Sequence, residues 1–186
     1  MKRVVVPLAH GFEEIEAVTV VDILRRAGIS VTIAGVEAGT PPGAVEGRTG
    51  IQLVPDLSFD EVKASDFDMV VLPGGLKGTE TLQKDTRVAR LLRSLQDGRG
   101  YIAAICAAPI VLAAHGMIAG RKVTSHPSVR AQMSGAIYDE GRVVIDGRLV
   151  TSRGPGTAME FAMALVEILV GRQKAEEVNQ GVLAKV

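Results

Sequence analysis

A chain of 186 residues in which 21 lysines and arginines balance 21 aspartates and glutamates presents no field of one sign, which argues against a nucleic-acid or membrane-surface partner. With apolar residues at 47% disorder is excluded, but aromatic residues reach only 3% and tryptophan is absent, so Val, Ile, Leu and Ala must fill the core. The length fits one domain over residues 1–186, and a single cysteine rules out an intramolecular disulfide or a cysteine-based zinc site and fits a reducing compartment, with the cytoplasm as the expected location.

At the amino end, Met1-Lys2-Arg3 carries the charge of a signal peptide without its long apolar region or small-residue cleavage site. Arg3 to Leu8 reads instead as a continuous apolar strand, followed by Ala9-His10-Gly11 and a helix from about Glu13 to Arg26 that Ala27-Gly28 can end. Val31 to Ala34 is a second strand, and Ile51 to Val54 a third, peripheral one that Pro55 stops; Gly39 to Gly47, rich in proline and glycine, is loop. Ser58-Phe59-Asp60-Glu61 has the spacing of a capping box, and Asp68 to Leu72 forms a strand ending in Pro73-Gly74-Gly75. Thr86 to Gln96 reads as helix, Tyr101 to Ile105 as a fully buried strand and Ala108 to Ala114 as the helix after it. The apolar run from Ile102 to Ala114 contains Pro109 and is shorter than the roughly 20 residues that span a bilayer. After Lys122 to Thr124 come Ser125-His126-Pro127, a short helix, a hairpin of Val143 to Ile145 and Leu149 to Ser152 turning at Asp146-Gly147, and a long helix Thr157 to Val170 introduced by Gly154-Pro155-Gly156. This alternation predicts a three-layer α/β (αβα) sandwich with a mostly parallel sheet. The ligand crevice of such a sheet lies outside the carboxyl ends of its strands, which brings together His10, Gly74-Gly75, Cys106 and His126.

Cys106 stands out because Ala104-Ile105-Cys106-Ala107-Ala108 puts a thiol on a strand-to-helix turn with small residues two positions to either side, the steric requirement of a nucleophile elbow. Amides at the start of the next helix would draw its pKa below the free value of about 8.5; a buried structural cysteine is the alternative. Glu16 shares a helix stripe with Val20, Ile23, Leu24 and Ala27, so a carboxylate faces the apolar side, where burial would keep it protonated and able to donate to a thiolate. The alternative, that it complements the positive end of the helix, is preferred for Glu13 and Glu14. His126 is placed to hydrogen-bond Cys106 or shuttle a proton. His115 more simply ends a helix, His10 lies in a strand-end loop, and three dispersed histidines make no metal site. Gly74-Gly75 can offer N–H groups as an oxyanion hole or serve only as a tight turn. No phosphate-binding glycine motif points to a nucleotide.

Six segments taken together resemble the DJ-1 (PARK7) family of the DJ-1/ThiJ/PfpI superfamily over essentially the whole chain: Gly11-Phe12-Glu13-Glu14-Ile15-Glu16, Asp22 to Gly28, Val71-Leu72-Pro73-Gly74-Gly75, Ala103 to Pro109, Thr124-Ser125-His126-Pro127 and Thr151 to Thr157. The resemblance implies a flavodoxin-like fold and a homodimer, with Cys106 as nucleophile, Glu16 as its protonated partner, His126 nearby and the amides of Gly75 and Ala107 near the substrate oxygen. Gly74 belongs to the same expected substrate-binding turn. It also implies an enzyme without cofactor, converting methylglyoxal or glyoxal to a hydroxy acid (glyoxalase III activity) or acting as a deglycase on glycated adducts. The other implied role is an oxidative-stress protein or chaperone working through oxidation of Cys106. Ala107 stands where PfpI-type peptidases place histidine, which speaks against a cysteine peptidase, and glutamine amidotransferases are excluded by Ala104, Ala108 and the lack of any histidine after His126. No second thiol exists to resolve an oxidised Cys106.

Overall fold

Strands whose consecutive residues are all apolar are buried on both faces, and alternate positions of the first strand show how the molecule layers around them. In β1 (Arg3–Leu8), Val4, Val6 and Leu8 face one core while Val5 faces another. The computed structural model describes residues 1–37, 39 and 42–186. Its main sheet adds β2 (Ser30–Gly35), β5 (Leu57–Ser58), β6 (Met69–Leu72), β7 (Tyr101–Ile105), β10 (Val143–Asp146) and β11 (Leu149–Ser152), in the order β10-β11-β7-β6-β1-β2-β5. Every pairing is parallel except β10 with β11 at the edge. On one face pack α1 (Glu14–Arg26), α5 (Ala158–Val170) and α6 (Arg172–Gly181), where the Val20, Ile23, Leu24, Phe161 and Leu165 side chains are buried. On the other lie α2 (Leu76–Lys84), α3 (Thr86–Asp97) and α4 (Pro109–Ala114), with Leu82, Val88, Leu92 and Leu112 inside. This is the three-layer α/β sandwich anticipated from the sequence. Aliphatic side chains of this size each contribute roughly 1.5–3 kcal/mol on burial, so a core with few aromatics is sufficient.

Local chemistry explains most element boundaries. Asp85 caps α3 by accepting the Arg87 N–H at 2.7 Å, and the Ser58 to Glu61 capping box forms around a single 3₁₀ turn. The differences from the sequence reading are also local. Ile51 to Val54 supplies only β4 (Gln52–Leu53), which pairs antiparallel with β3 (Val45–Glu46) outside the main sheet. The Gly39 to Gly47 loop therefore contains a short strand, while its residues 40 and 41 lie outside the described residues. Lys122–Val123 (β8) pairs with Ile137–Tyr138 (β9), again apart from the main sheet. Two helices were not anticipated, α2 and α6, because each buries few side chains and neither shows an apolar stripe in sequence. No helix of the described residues is long and apolar enough to cross a membrane.

Candidate active site

At the carboxyl end of β7 the chain turns directly into the segment leading to α4, and Cys106 sits on the turn with φ +65°. A left-handed conformation costs a residue with a Cβ about 1–2 kcal/mol, so the surroundings must hold it. They do so through both backbone groups of the cysteine: its N–H donates to the Ser152 carbonyl at 2.9 Å, and its carbonyl accepts the His126 N–H at 2.8 Å. The Ala108 N–H closes the turn on Ile105 O at 3.0 Å. Small neighbours are required in space as well as in sequence, since a Cβ on Gly74 would stand 2.6 Å from Cys106 Cβ and 2.6 Å from Glu16 Oε2.

Glu16 projects from the first turn of α1 into this corner with no solvent exposure. Its Oε2 accepts the Gly74 N–H at 2.7 Å. Its Oε1 has no hydrogen-bond partner and is enclosed beside the Cys106 side chain. Burial pushes the Glu16 pKa up to about 7 against the pull of the Gly74 hydrogen bond and the Cys106 thiol. Burial, and then the neighbouring Glu16 charge, push the Cys106 thiol up to about 12, while the N–H groups of Ala107 and Gly75 draw it down. The thiol pKa below the free value anticipated from helix amides is thus not met while Glu16 is ionised. Two adjacent anions in a buried corner exclude each other, and α4, at six residues, offers little helix end. Both groups are therefore pushed toward their protonated forms, and the pair gives up its second proton only with difficulty. In the arrangement with that proton on Glu16 the repulsion disappears, and the thiolate is left with two backbone donors.

Several anticipated roles change. The Gly74 N–H, expected among the donors to substrate, is engaged by Glu16, which leaves Gly75 and Ala107 beside the sulfur. Gly75 has φ +88°, and a Cβ there would overlap the Gly11 carbonyl, so its amide is aimed by a backbone only glycine adopts freely. The His126 ring is exposed on the cleft wall and is bonded through Nδ1 to Ser128 (N–H at 3.2 Å, hydroxyl at 2.7 Å), so the bond anticipated with Cys106 is not made by this ring. Glu13 and Glu14, expected to complement the positive end of the helix, stand at its N-cap and first turn but are both buried. Glu13 Oε2 pairs with Arg48 at 2.9 Å, and Glu14 Oε1 accepts the Thr49 N–H at 2.7 Å and hydroxyl at 2.6 Å. Burial opposes the ionised form of Glu14, but the Thr49 donors outweigh it and hold this carboxyl below its usual range.

These contacts hang the 46–50 loop on α1, helped by the Arg48 N–H to Phe12 O at 2.9 Å and the Gly11 N–H to Glu46 O at 2.7 Å. The result is a cleft of about 830 Å³ with Cys106, Gly75 and Ala107 at its floor and His10, Arg48, Lys77 and His126 on its walls. Arg48 and Lys77 were missed in the sequence because nothing local marks them; they reach the cleft only through the loop clamp and the unanticipated α2. Among the described residues no group of three or more His, Cys, Asp or Glu side chains could hold a metal.

A strained cysteine on a strand-to-helix turn of a parallel sheet, with a buried carboxyl group beneath the sulfur and two backbone donors beside it, defines the class of α/β proteins built around an elbow nucleophile. The chain belongs to the DJ-1/PfpI family, whose model matches residues 2–168. It is 48% identical over 184 residues to protein dj-1beta of Drosophila melanogaster, covering 98% of this chain and 97% of that one. The crystal structure of that fly protein superposes with a TM-score of 0.94 over 100% of this chain and 99% of the other. A relative from Caenorhabditis elegans described as the glutathione-independent glyoxalase DJR-1.2 is 42% identical over 164 residues, 87% of this chain and 85% of its own. The structure of oxidized Toxoplasma gondii DJ-1 matches with a TM-score of 0.95 at 35% identity, each chain covered in full.

Proposed function

We propose that the protein is a glutathione-independent glyoxalase that converts methylglyoxal and glyoxal to hydroxy acids, with deglycase-type action on glycated adducts as the same chemistry on a larger substrate. The observation that carries this reading is a fully buried Glu16 carboxyl group set beside the strained Cys106 at the floor of an open cleft. The name of the worm relative points the same way.

The Cys106 thiolate adds to the aldehyde carbon. As the S–C bond forms, the carbonyl electron pair moves to oxygen, where the Gly75 and Ala107 N–H groups receive the charge and Glu16 supplies the proton. The Glu16 carboxylate so formed removes the hydrogen from the same carbon while the second carbonyl oxygen takes up a proton, giving an enediol; Glu16 then returns its proton to the adjacent carbon as the first hydroxyl gives its own up. The first carbon is thereby oxidised to a thioester and the second reduced to an alcohol, with no outside oxidant. Water then releases the hydroxy acid and restores the thiol. His126, on the cleft wall, is the proposed second proton carrier. The expected result is lactate from methylglyoxal with the purified protein and none with Cys106→Ser; activity surviving in that variant removes Cys106 from the reaction.

Redox sensing is a second reading, favoured by the partial exposure of Cys106 and by a protonated Glu16 in place to hydrogen-bond a sulfinate. A homodimer is proposed with either reading. Ile15 and Val18 on α1 are 55% and 45% exposed, with Ile51 and Val54 also exposed, and a two-fold packing of α1 on its twin would cover the helix residues. Val18→Glu is expected to give a monomer by sedimentation at micromolar concentration, whereas a wild-type monomer under the same conditions refutes the dimer.

A further inference from the structure

Two histidines on the cleft wall owe their donor character to hydrogen bonds on the far side of each ring. His10 Nδ1 accepts the Glu46 backbone N–H at 3.1 Å, and His126 Nδ1 accepts the Ser128 N–H at 3.2 Å. A ring nitrogen that accepts carries no proton, so in each neutral imidazole the hydrogen resides on Nε2. Both rings line the same cleft as the Cys106 sulfur. Arg48 and Lys77, which have donors only, line it too, beside the uncharged Gln52, Ser128 and Gln132. Arg48 is anchored through one nitrogen to Glu13, leaving its other N–H groups uncommitted, and lies close enough to Cys106 for the two charges to interact. The Lys77 stem runs along the backbone of Gly11, where an added Cβ would stand 2.8 Å from Lys77 Cβ. Against these donors the wall has one carboxylate, Glu46, which takes the Gln52 amide at 3.5 Å; Glu16 lies behind the cysteine and off the wall.

A neutral dicarbonyl has two oxygens, and the amides of Gly75 and Ala107 already serve one of them. Four side-chain donors beyond that floor exceed what the one remaining oxygen of such a molecule can accept. An oxyanion offers two or three strong acceptors at once and makes shorter, stronger bonds with Arg and Lys. We propose that this cleft selects a small carbonyl compound bearing a carboxylate or phosphate within one or two carbons of the aldehyde, with the carbonyl on Cys106 and the oxyanion among His10, Arg48, Lys77 and His126. The proposal rests on the aldehyde reading only for the carbonyl end, since the anion subsite is independent of turnover.

Alkylation separates the two. Iodoacetate and iodoacetamide deliver the same carbon to sulfur, forming the S–C bond as iodide leaves, and differ only in carrying a carboxylate or a neutral amide. The ratio of their rates at Cys106, followed by mass spectrometry, is expected to exceed the ratio measured on 2-mercaptoethanol by about tenfold, the effect of roughly 1.4 kcal/mol of oxyanion recognition. Lys77→Gln and His10→Phe are each expected to lower that ratio about threefold or more, with iodoacetamide rates kept within about twofold. Glyoxylate and glycolaldehyde phosphate, added separately to slow the iodoacetamide reaction, distinguish carboxylate from phosphate by which protects at the lower concentration. A ratio equal to that of the free thiol, or one that neither variant moves, overturns the proposal. A raised ratio without lactate from methylglyoxal leaves the anion subsite standing and refutes the glyoxalase reading, and lactate with an ordinary ratio does the reverse.

Discussion

Glu14 and Glu16 occupy the same turn of α1, both buried, yet they face different regions and titrate in opposite directions. On the loop side, Glu14 receives two hydrogen bonds from Thr49, which outweigh the penalty of burial and keep the carboxylate charged. On the elbow side, Glu16 receives one backbone N–H, from Gly74, and otherwise meets a thiol that competes for the same proton, so burial wins and the carboxyl group rises to about 7. Enclosure alone therefore does not create a reactive carboxyl group. The count of donors that enclosure supplies decides whether the group is structural or chemical.

Replacing Glu16 by Gln tests the elbow side and carries the largest expected effect. A hydrogen-bond donor remains but the acid/base function is lost, so lactate formation is expected to fall by about 10²-fold or more while Cys106 still oxidises and alkylates. The same variant reads the pH linkage. The Glu16 pKa in the folded chain is raised above its ordinary value of 4.5, so the stability it favours is present below 4.5 and is lost as pH rises through about 7. Denaturant titrations at pH 5 and pH 8 should show wild type losing up to ~3 kcal/mol more than Glu16→Gln. Equal losses would mean that Glu16 is not the buried acid of the site.

Glu16→Asp makes a smaller change, drawing the carboxyl group back by one methylene and away from the sulfur. Turnover is expected to drop about tenfold, and peroxide should carry Cys106 further along the oxidation ladder than in wild type, both readable on the same samples by lactate assay and mass spectrometry. Unchanged turnover and oxidation would assign Glu16 to the same structural role as Glu14. On the loop side, Glu14→Ala is expected to lower stability by about 1–3 kcal/mol through the released Thr49 donors, with turnover changed only severalfold. A loss of turnover comparable to that of Glu16→Gln would erase the distinction between the two sides of the helix.

Much of this architecture could be read from residue order. Continuous apolar runs marked β1, β6 and β7, the Asp146-Gly147 turn marked the hairpin, and Ala104 and Ala108 marked the elbow at Cys106. Glu16 was legible because a carboxylate in an apolar stripe is anomalous, whereas Glu13 and Glu14 looked ordinary because acids in a first turn usually are. The helices α2 and α6 escaped because side chains that bury little leave no periodic signal.

Residue order alone dictates which segments must be buried and that a thiol sits where only small neighbours are tolerated, because hydrophobic period and turn sterics act over a few residues. Which donors reach which acceptors depends on the folded chain as a whole. Gly74 spends its N–H on Glu16 rather than on substrate, the His126 ring turns to Ser128 rather than to Cys106, and Arg48 reaches the cleft by way of Glu13. Hydrogen bonds form within about 3 Å between residues distant in sequence, and a proton's position follows from the whole set of donors that the fold brings to that corner.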